Sequence, residues 1–198
     1  MNDLFIQTKS WRIFAKSAGH PGDPLVLGIH GWSQRNGWHT WEPMMRPLAH
    51  AGFQVVSVDM PGWGRSRPLQ AEPLEDDPAA AILGILDGLE SETAVLIGKS
   101  WGGGVALDVA LNYPARVSKL ILTAPARLNL DGLAGLKQPV LLAWAEDDPV
   151  IPYQQAAKLL NVIPHIQLET YPTGGHSAAP NNAADFAPKA IQFLKRKT

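Results

Sequence analysis

The sequence predicts an α/β fold: a mostly parallel, twisted sheet with helices on both faces and no cap domain, in one domain over 1–198. Three observations lead there. Short apolar runs rich in strand formers alternate along the chain with stretches of helical composition, the order of βαβ units. Runs such as Leu25-Val26-Leu27-Gly28-Ile29 are apolar throughout, as strands covered on both faces are. Gly98-Lys99-Ser100-Trp101-Gly102 reads G-x-S-x-G where a strand-like run, Thr93 to Ile97, gives way to helical composition from Gly103 to Leu111.

The elements follow in order. Residues 3–8 and 11–16 read as two strands of a hairpin, and Gly19 to Pro24 as a turn. The strand 25–29 runs into His30-Gly31-Trp32-Ser33. A helix over 40–51 places Trp41, Met44, Met45, Leu48 and Ala49 on one face. The strand 54–58 stops at Asp59-Met60-Pro61-Gly62-Trp63-Gly64, and a loop containing prolines and acids follows. Pro78 suits a helix start, so 79–90 is the next helix. Then come strand 94–98, helix 101–112 ended by Pro114, strands 117–123 and 139–144, helix 153–161, strand 165–170 and a last helix over 183–195. No repeat, low-complexity segment or linker interrupts this order.

Composition narrows the function classes. The chain has no cysteine, which excludes disulfides, thiolate catalysis and cysteine-held metals. It is 45% apolar and 18% charged with a net charge of −1, as a compact globular protein is. Without a basic patch, neither nucleic acid nor an anionic membrane is an expected partner. The sequence indicates no protein partner either. The first residues lack a basic segment followed by a long apolar one, and no apolar run reaches membrane-spanning length, so a cytoplasmic location is expected.

The G-x-S-x-G turn carries the chemistry. A strand-to-helix turn this tight strains the serine backbone, and flanking glycines remove the side chains that would clash. The plain alternative is Ser100 as a helix N-cap. A reactive serine needs a base, and the base needs an acid to orient it. Downstream of Ser100 stand His165, which opens a strand at its N-terminal end, and His176, in the loop Thr173-Gly174-Gly175-His176-Ser177 after that strand. Reactive loops in such sheets lie at the C-terminal strand ends, which favours His176. The segment Trp144-Ala145-Glu146-Asp147-Asp148-Pro149 follows another strand and offers three carboxylates.

At these positions the chain resembles the α/β-hydrolase family. His30-Gly31-Trp32 is similar to its H-G-x segment, Asp59 to Ser66 to its D-x-P-G-x-G-x-S loop, and Gly98 to Gly103 to G-H-S-x-G-G with Lys99 in place of histidine. The segment ending at Pro149 resembles W-G-x-x-D-P with Ala145 for glycine, which implies Asp148 as the acid. Glu146 and Asp147 are then expected to be solvated, and Asp131 is a less favoured alternative. The resemblance spans 25 to the C-terminus and implies Ser100 as nucleophile, His176 as base and Asp148 as orienting acid. It implies an oxyanion hole from the backbone N–H groups of Trp32 and Trp101, with no metal and no cofactor. His30 is expected to be structural. Trp32, Trp63 and Trp101 are expected either to pack the loops or to wall a substrate pocket. Lys99 is expected to form a salt bridge beside the turn, because adjacent residues at an elbow point in different directions and a Ser–Lys dyad is disfavoured.

Many members of the family insert a helical lid after the strand corresponding to 117–123. Here the next strand begins near Pro139, leaving about fifteen residues, near the upper limit for an ordinary connection. The chain is in this respect similar to small lidless members, among them the factor-B-type hydrolases. The expected activity is that of a serine hydrolase, esterase-like, cleaving a carboxylic ester or thioester of a small acyl group through an acyl-enzyme, in an open pocket. The rivals are a weakly catalytic interaction protein on the same fold, and a lyase or C–C hydrolase.

Overall fold

The computed structural model describes residues 1–70, 77–126 and 129–196. The strands are β1 (Asn2–Gln7), β2 (Trp11–Ala18), β3 (Leu25–Ile29), β4 (Gln54–Val58), β5 (Arg67–Pro68), β6 (Ala94–Lys99), β7 (Val117–Thr123), β8 (Val140–Ala145) and β9 (Ile166–Tyr171). The helices are α1 (Glu42–His50), α2 (Pro78–Gly88), α3 (Trp101–Asn112), α4 (Gln155–Val162), α5 (Ala178–Asn181) and α6 (Ala183–Lys195). The strands form one sheet in the order β1-β2-β4-β3-β6-β7-β8-β9, with β5 beside β2. The pairs from β4 through β9 are parallel, and β2 pairs antiparallel with β1, β4 and β5.

Strand alternation sorts the core into two layers. On β6, Ala94 and Leu96 join Ile82, Ile85 and Leu86 of α2, Val105 and Val109 of α3, and Leu159 of α4. Val95 and Ile97 face the other way, against Met44, Met45 and Leu48 of α1 and Phe186, Ala190 and Phe193 of α6. Helices therefore cover both faces, which explains the continuous apolar runs: β3 and β8 are buried at every position. Asp77 caps α2, its side chain accepting from the Ala79 N–H, with Pro78 in the first helical turn. The last helix is tied to the sheet by Lys119 of β7, whose Nζ donates to the carbonyls of Phe193, Leu194 and Arg196. A cation there meets the negative end of the helix dipole.

Most element boundaries agree with the sequence reading within two residues. The helix expected over 40–51 is instead a 3-10 turn, Trp38–Trp41, followed by α1. The turn forms because Trp41 is pulled inward, its Nε1 donating to Ile29 O. The short β5 and α5 have no counterpart in the sequence pattern. The acid-containing loop after Gly64 lies, over 71–76, outside the described residues. The connection from β7 to β8 holds one 3-10 turn, Leu133–Gly135, and Leu133 and Leu136 insert into the core. Among the described residues there is thus no separate cap domain.

The sheet has its topological switch point at β3. The chain moves from β3 to β4 on one side and then returns to β6 on the other. Ile29 of β3 and Gly98 of β6 are register partners, so the segments from His30 and from Lys99 leave the sheet side by side. This is where open α/β sheets bind ligands.

Candidate active site

Ser100 stands between β6 and α3 with φ 52° and ψ −119°, a conformation that strains any residue with a Cβ by about 1–3 kcal/mol. The surroundings hold it there. Its N–H donates to Thr123 O at 3.0 Å, and its carbonyl accepts from Gly103, Gly104 and Ala126 N–H at 2.9, 3.1 and 2.8 Å. Its side chain makes no capping bond to the helix, which removes the N-cap explanation. The glycines are required by proximity. A Cβ on Gly102 would collide with the carbonyl oxygens of Ile29 and His30, and one on Gly98 with the Gly102 and Gly103 backbone. Only glycine lets α3 start this close to the end of β3.

His176 and Asp148 meet across 28 residues of chain. His176 Nδ1 donates to Asp148 Oδ2 at 2.9 Å and lies 3.1 Å from Oδ1. The Asp148 side chain is wholly buried, and Oδ1 also accepts from Val150 N–H at 2.8 Å and Ile151 N–H at 3.0 Å. Buried Trp144 fixes the rest of that loop through Nε1 to Ile151 O. With Nδ1 donating, the lone pair sits on Nε2, which is buried and has no hydrogen-bond partner. Ser100 Oγ likewise shows no bond among the described residues. Thr123 links the two segments: its carbonyl holds the Ser100 N–H and its Oγ1 accepts from Ala179 N–H, three residues past His176.

One expectation is extended here and one is corrected. Asp147 is exposed, as expected, and its Oδ1 also accepts from Gly175 N–H at 2.7 Å, bracing the loop before His176. Lys99 forms no ion pair among the described residues, because its side chain is half-buried on the sheet face opposite α3 and meets no carboxylate within bonding distance. His165 lies at the opposite, N-terminal end of the sheet, as expected, and Glu146 and Asp131 are exposed.

His30 is buried with both nitrogens occupied. Met60 N–H donates to Nε2 at 3.0 Å, so Nδ1 carries the proton and donates to Gly31 O at 2.7 Å. Burial holds this imidazole below its ordinary pKa, against the opposing pull of the Gly31 bond. Anchoring the Gly31 carbonyl turns the N–H of the same peptide, that of Trp32, the opposite way. Trp63 Nε1 donates to Trp32 O and Ser33 O at 3.1 and 3.2 Å and holds the next peptides. Among the described residues neither Trp32 nor Trp101 spends its N–H on a protein acceptor. Asp59 braces the outer loops, accepting from Trp38 and Arg65 N–H at 2.8 Å each.

The three tryptophans form one cluster. Ring centroids are 5.1 Å apart for Trp32–Trp63, 5.4 Å for Trp32–Trp101 and 5.2 Å for the stacked pair Trp63–Trp101. Trp63 is 8% exposed and Trp32 64%, so one packs the loops while the other stands at the rim. Together they line a cavity of about 410 Å³ with Trp11, Met60 and Pro78. Asp77 borders the same cavity. Nothing in the sequence of the hairpin or the helix cap signals that Trp11 and Asp77 converge here. The roles of Asp147 and Thr123 had no sequence signal either.

A family model described as "alpha/beta hydrolase fold" matches residues 24–135. A 2-hydroxy-6-oxononadienedioate/2-hydroxy-6-oxononatrienedioate hydrolase of Paraburkholderia phymatum is 35% identical over 158 residues, covering 76% of this chain and 53% of the relative. The chain thus spans about half the length of that curated relative. Among solved structures, a meta-cleavage product hydrolase from Pseudomonas fluorescens IP01 superposes with a TM-score of 0.84 at 19% identity, over 96% of this chain and 97% of that one. Naproxen esterase from Bacillus subtilis superposes with 0.85 at 16% identity, over 98% and 91%. At these identities the structural likeness speaks to the fold alone.

Proposed function

This chain belongs to the alpha/beta hydrolase fold family, and on that footing we propose that it is a serine hydrolase acting on small acyl esters or thioesters. The observation that carries the reading is the Asp148–His176 hydrogen bond, which leaves a buried, unpartnered Nε2 on the base. In this reading Ser100 Oγ gives its proton to His176 Nε2 and attacks the acyl carbon. The N–H groups of Trp32 and Trp101 receive the oxyanion, and Asp148 stabilises the imidazolium. His176 then returns the proton to the departing alkoxide or thiolate. Water, activated the same way, releases the acid from Ser100 and restores the enzyme.

The relative's name favours a second reading, hydrolysis of a C–C bond in a 2-hydroxy-6-oxo-dienedioate. Such a substrate carries two carboxylates. The described residues lining the tryptophan cavity include no cation and do include Asp77, which supports the neutral acyl substrate instead. A fluorophosphonate probe followed by peptide mass spectrometry is expected to modify Ser100. Turnover of p-nitrophenyl butyrate, compared with that of a 2-hydroxy-6-oxo-dienedioate, then separates the two readings. Label on another residue, or none, overturns both.

A further inference from the structure

A second hollow lies at the other end of the sheet from Ser100. Its place follows from the strand order. β7, β8 and β9 run parallel, with Leu120 beside Val140 and Val140 beside Ile166, so their N-terminal ends open on one edge. α6 finishes at that edge, where Lys119 Nζ donates to the carbonyls of Phe193, Leu194 and Arg196. Between these ends is a cavity of about 620 Å³, larger than the tryptophan-lined one and sharing no lining residue with it. Such a volume suits a small organic ligand.

The lining sorts by depth. Val117, Lys119, Gln138 and Phe193 are buried, while exposed Lys137, His165 and Arg196 stand at the rim. The floor is fixed: Gln138 Nε2 donates to Pro114 O and Val117 O at 2.9 and 3.2 Å, and Lys119 Nζ lies 5.4 Å from the Phe193 ring centroid. Charge is segregated as well. The whole chain has 17 basic and 18 acidic residues, yet the lining holds Lys119, Lys137 and Arg196, with His165 beside them, and no Asp or Glu. The side chains of Lys137 and His165 make no hydrogen bond or ion pair among the described residues, and Arg196 spends one nitrogen on Gln167 Oε1 at 3.1 Å. Lys119 is committed to its three carbonyls, so it adds charge to the wall but no free donor. Burial, and then the Arg196 charge, hold the Lys119 ammonium below its usual pKa, a pull that a neighbouring anion offsets.

We propose that this cavity binds a small organic acid, its apolar body on Phe193 and Val117 and its carboxylate drawn to the cationic rim of Lys137, His165 and Arg196. An inorganic anion would leave the apolar floor uncovered, and a neutral ligand would leave the cations without a counter-charge. The site stands apart from the reaction assigned to Ser100 and does not depend on it.

The test is an amide NMR titration of the isotope-labelled full chain with phenylbutyrate, run beside acetate, inorganic phosphate and phenylbutanol. The backbone signals of Val117, Ser118, Ile166 and Gln167 are expected to shift and saturate with phenylbutyrate, at least about tenfold more tightly than with each of the other three. Acetate and phosphate lack the apolar body, and the alcohol lacks the charge. Lys137→Gln and Arg196→Gln combined are expected to weaken phenylbutyrate binding by about tenfold, while Lys137→Arg binds like the parent. Lys137→Gln alone serves if the double variant does not fold. An alcohol or phosphate that binds as tightly as phenylbutyrate, a folded neutral variant with the parent's affinity, or shifts confined to the signals of Trp32 and Trp101 would overturn the proposal. Because the readout is binding and needs no turnover, it stands even if fluorophosphonate leaves Ser100 unlabelled.

Discussion

Two histidine loops rise from the same edge of the sheet, built from similar parts, and end in opposite states. Both follow short strands and both place glycine beside the histidine. His30 is fully buried and spends each nitrogen on backbone, one on Gly31 and one on Met60, while burial keeps it neutral. His176 spends one nitrogen on a carboxylate and leaves the other buried and open. Burial alone therefore does not mark a reactive histidine. The informative quantity is which hydrogen bonds remain unmade. A ring closed at both ends acts as a strut, and a ring closed at one end by an anion keeps a nitrogen able to accept a proton.

Removing the open ring is the harshest test of that contrast. His176→Ala is expected to lower kcat/KM for p-nitrophenyl butyrate by about 10⁶-fold, in the range seen for loss of a triad base elsewhere, with the thermal midpoint little changed. Activity near the parent's would sink the assignment. Next in size, Asp148→Asn is expected to lose about 10⁴-fold, since the amide cannot hold the same tautomer. Asp147→Asn can still accept from Gly175 N–H and should lose less than about tenfold. A reversal of that order would move the acid by one residue.

The closed ring should fail differently. His30→Ala leaves the buried Met60 N–H without an acceptor, so a stability loss of about 2–4 kcal/mol is expected in chemical denaturation. If the Trp32 N–H is the oxyanion donor that His30 holds in place, kcat should also fall by about 100-fold while Ser100 still takes the fluorophosphonate label. Unchanged stability would mean His30 is not a strut.

His30 also predicts a pH dependence. Its folded pKa lies below the unfolded value near 6.5, so between the two the unfolded chain binds more protons. Stability present at neutral pH is therefore lost as pH falls from about 6.5 through the lower folded-state pKa. Thermal midpoints measured from pH 7.5 downward should drop faster in the parent than in His30→Ala. Parallel slopes would contradict this.

The smallest effect concerns the cavity lined by the three tryptophans. With no cap domain among the described residues, acetyl to butyryl esters should exceed twelve-carbon esters in kcat/KM by severalfold, without activation by micelles. An optimum at long chains would point to a cover over the site that Trp32 and Trp101 do not supply.

The sequence by itself determined the order of elements and the candidate residues for the site. Period and punctuation are local properties: apolar runs, Pro78 at a helix start, glycines around Ser100. The motif spacing was equally legible, and it picked His176 over His165 because strand ends can be counted along the chain. The choice of Asp148 over Asp147 came from resemblance. Geometry alone could separate them, because neighbouring carboxylates differ only in which loop they face: one takes the His176 ring, the other the Gly175 N–H. Likewise, the pairing of Thr123 with Ala179, the meeting of Trp11 and Asp77 at one cavity, and the absence of an ion pair at Lys99 among the described residues were decided by the tertiary structure. Each depends on segments far apart in the chain being brought together by strand order and register, and no local pattern of residue types encodes that.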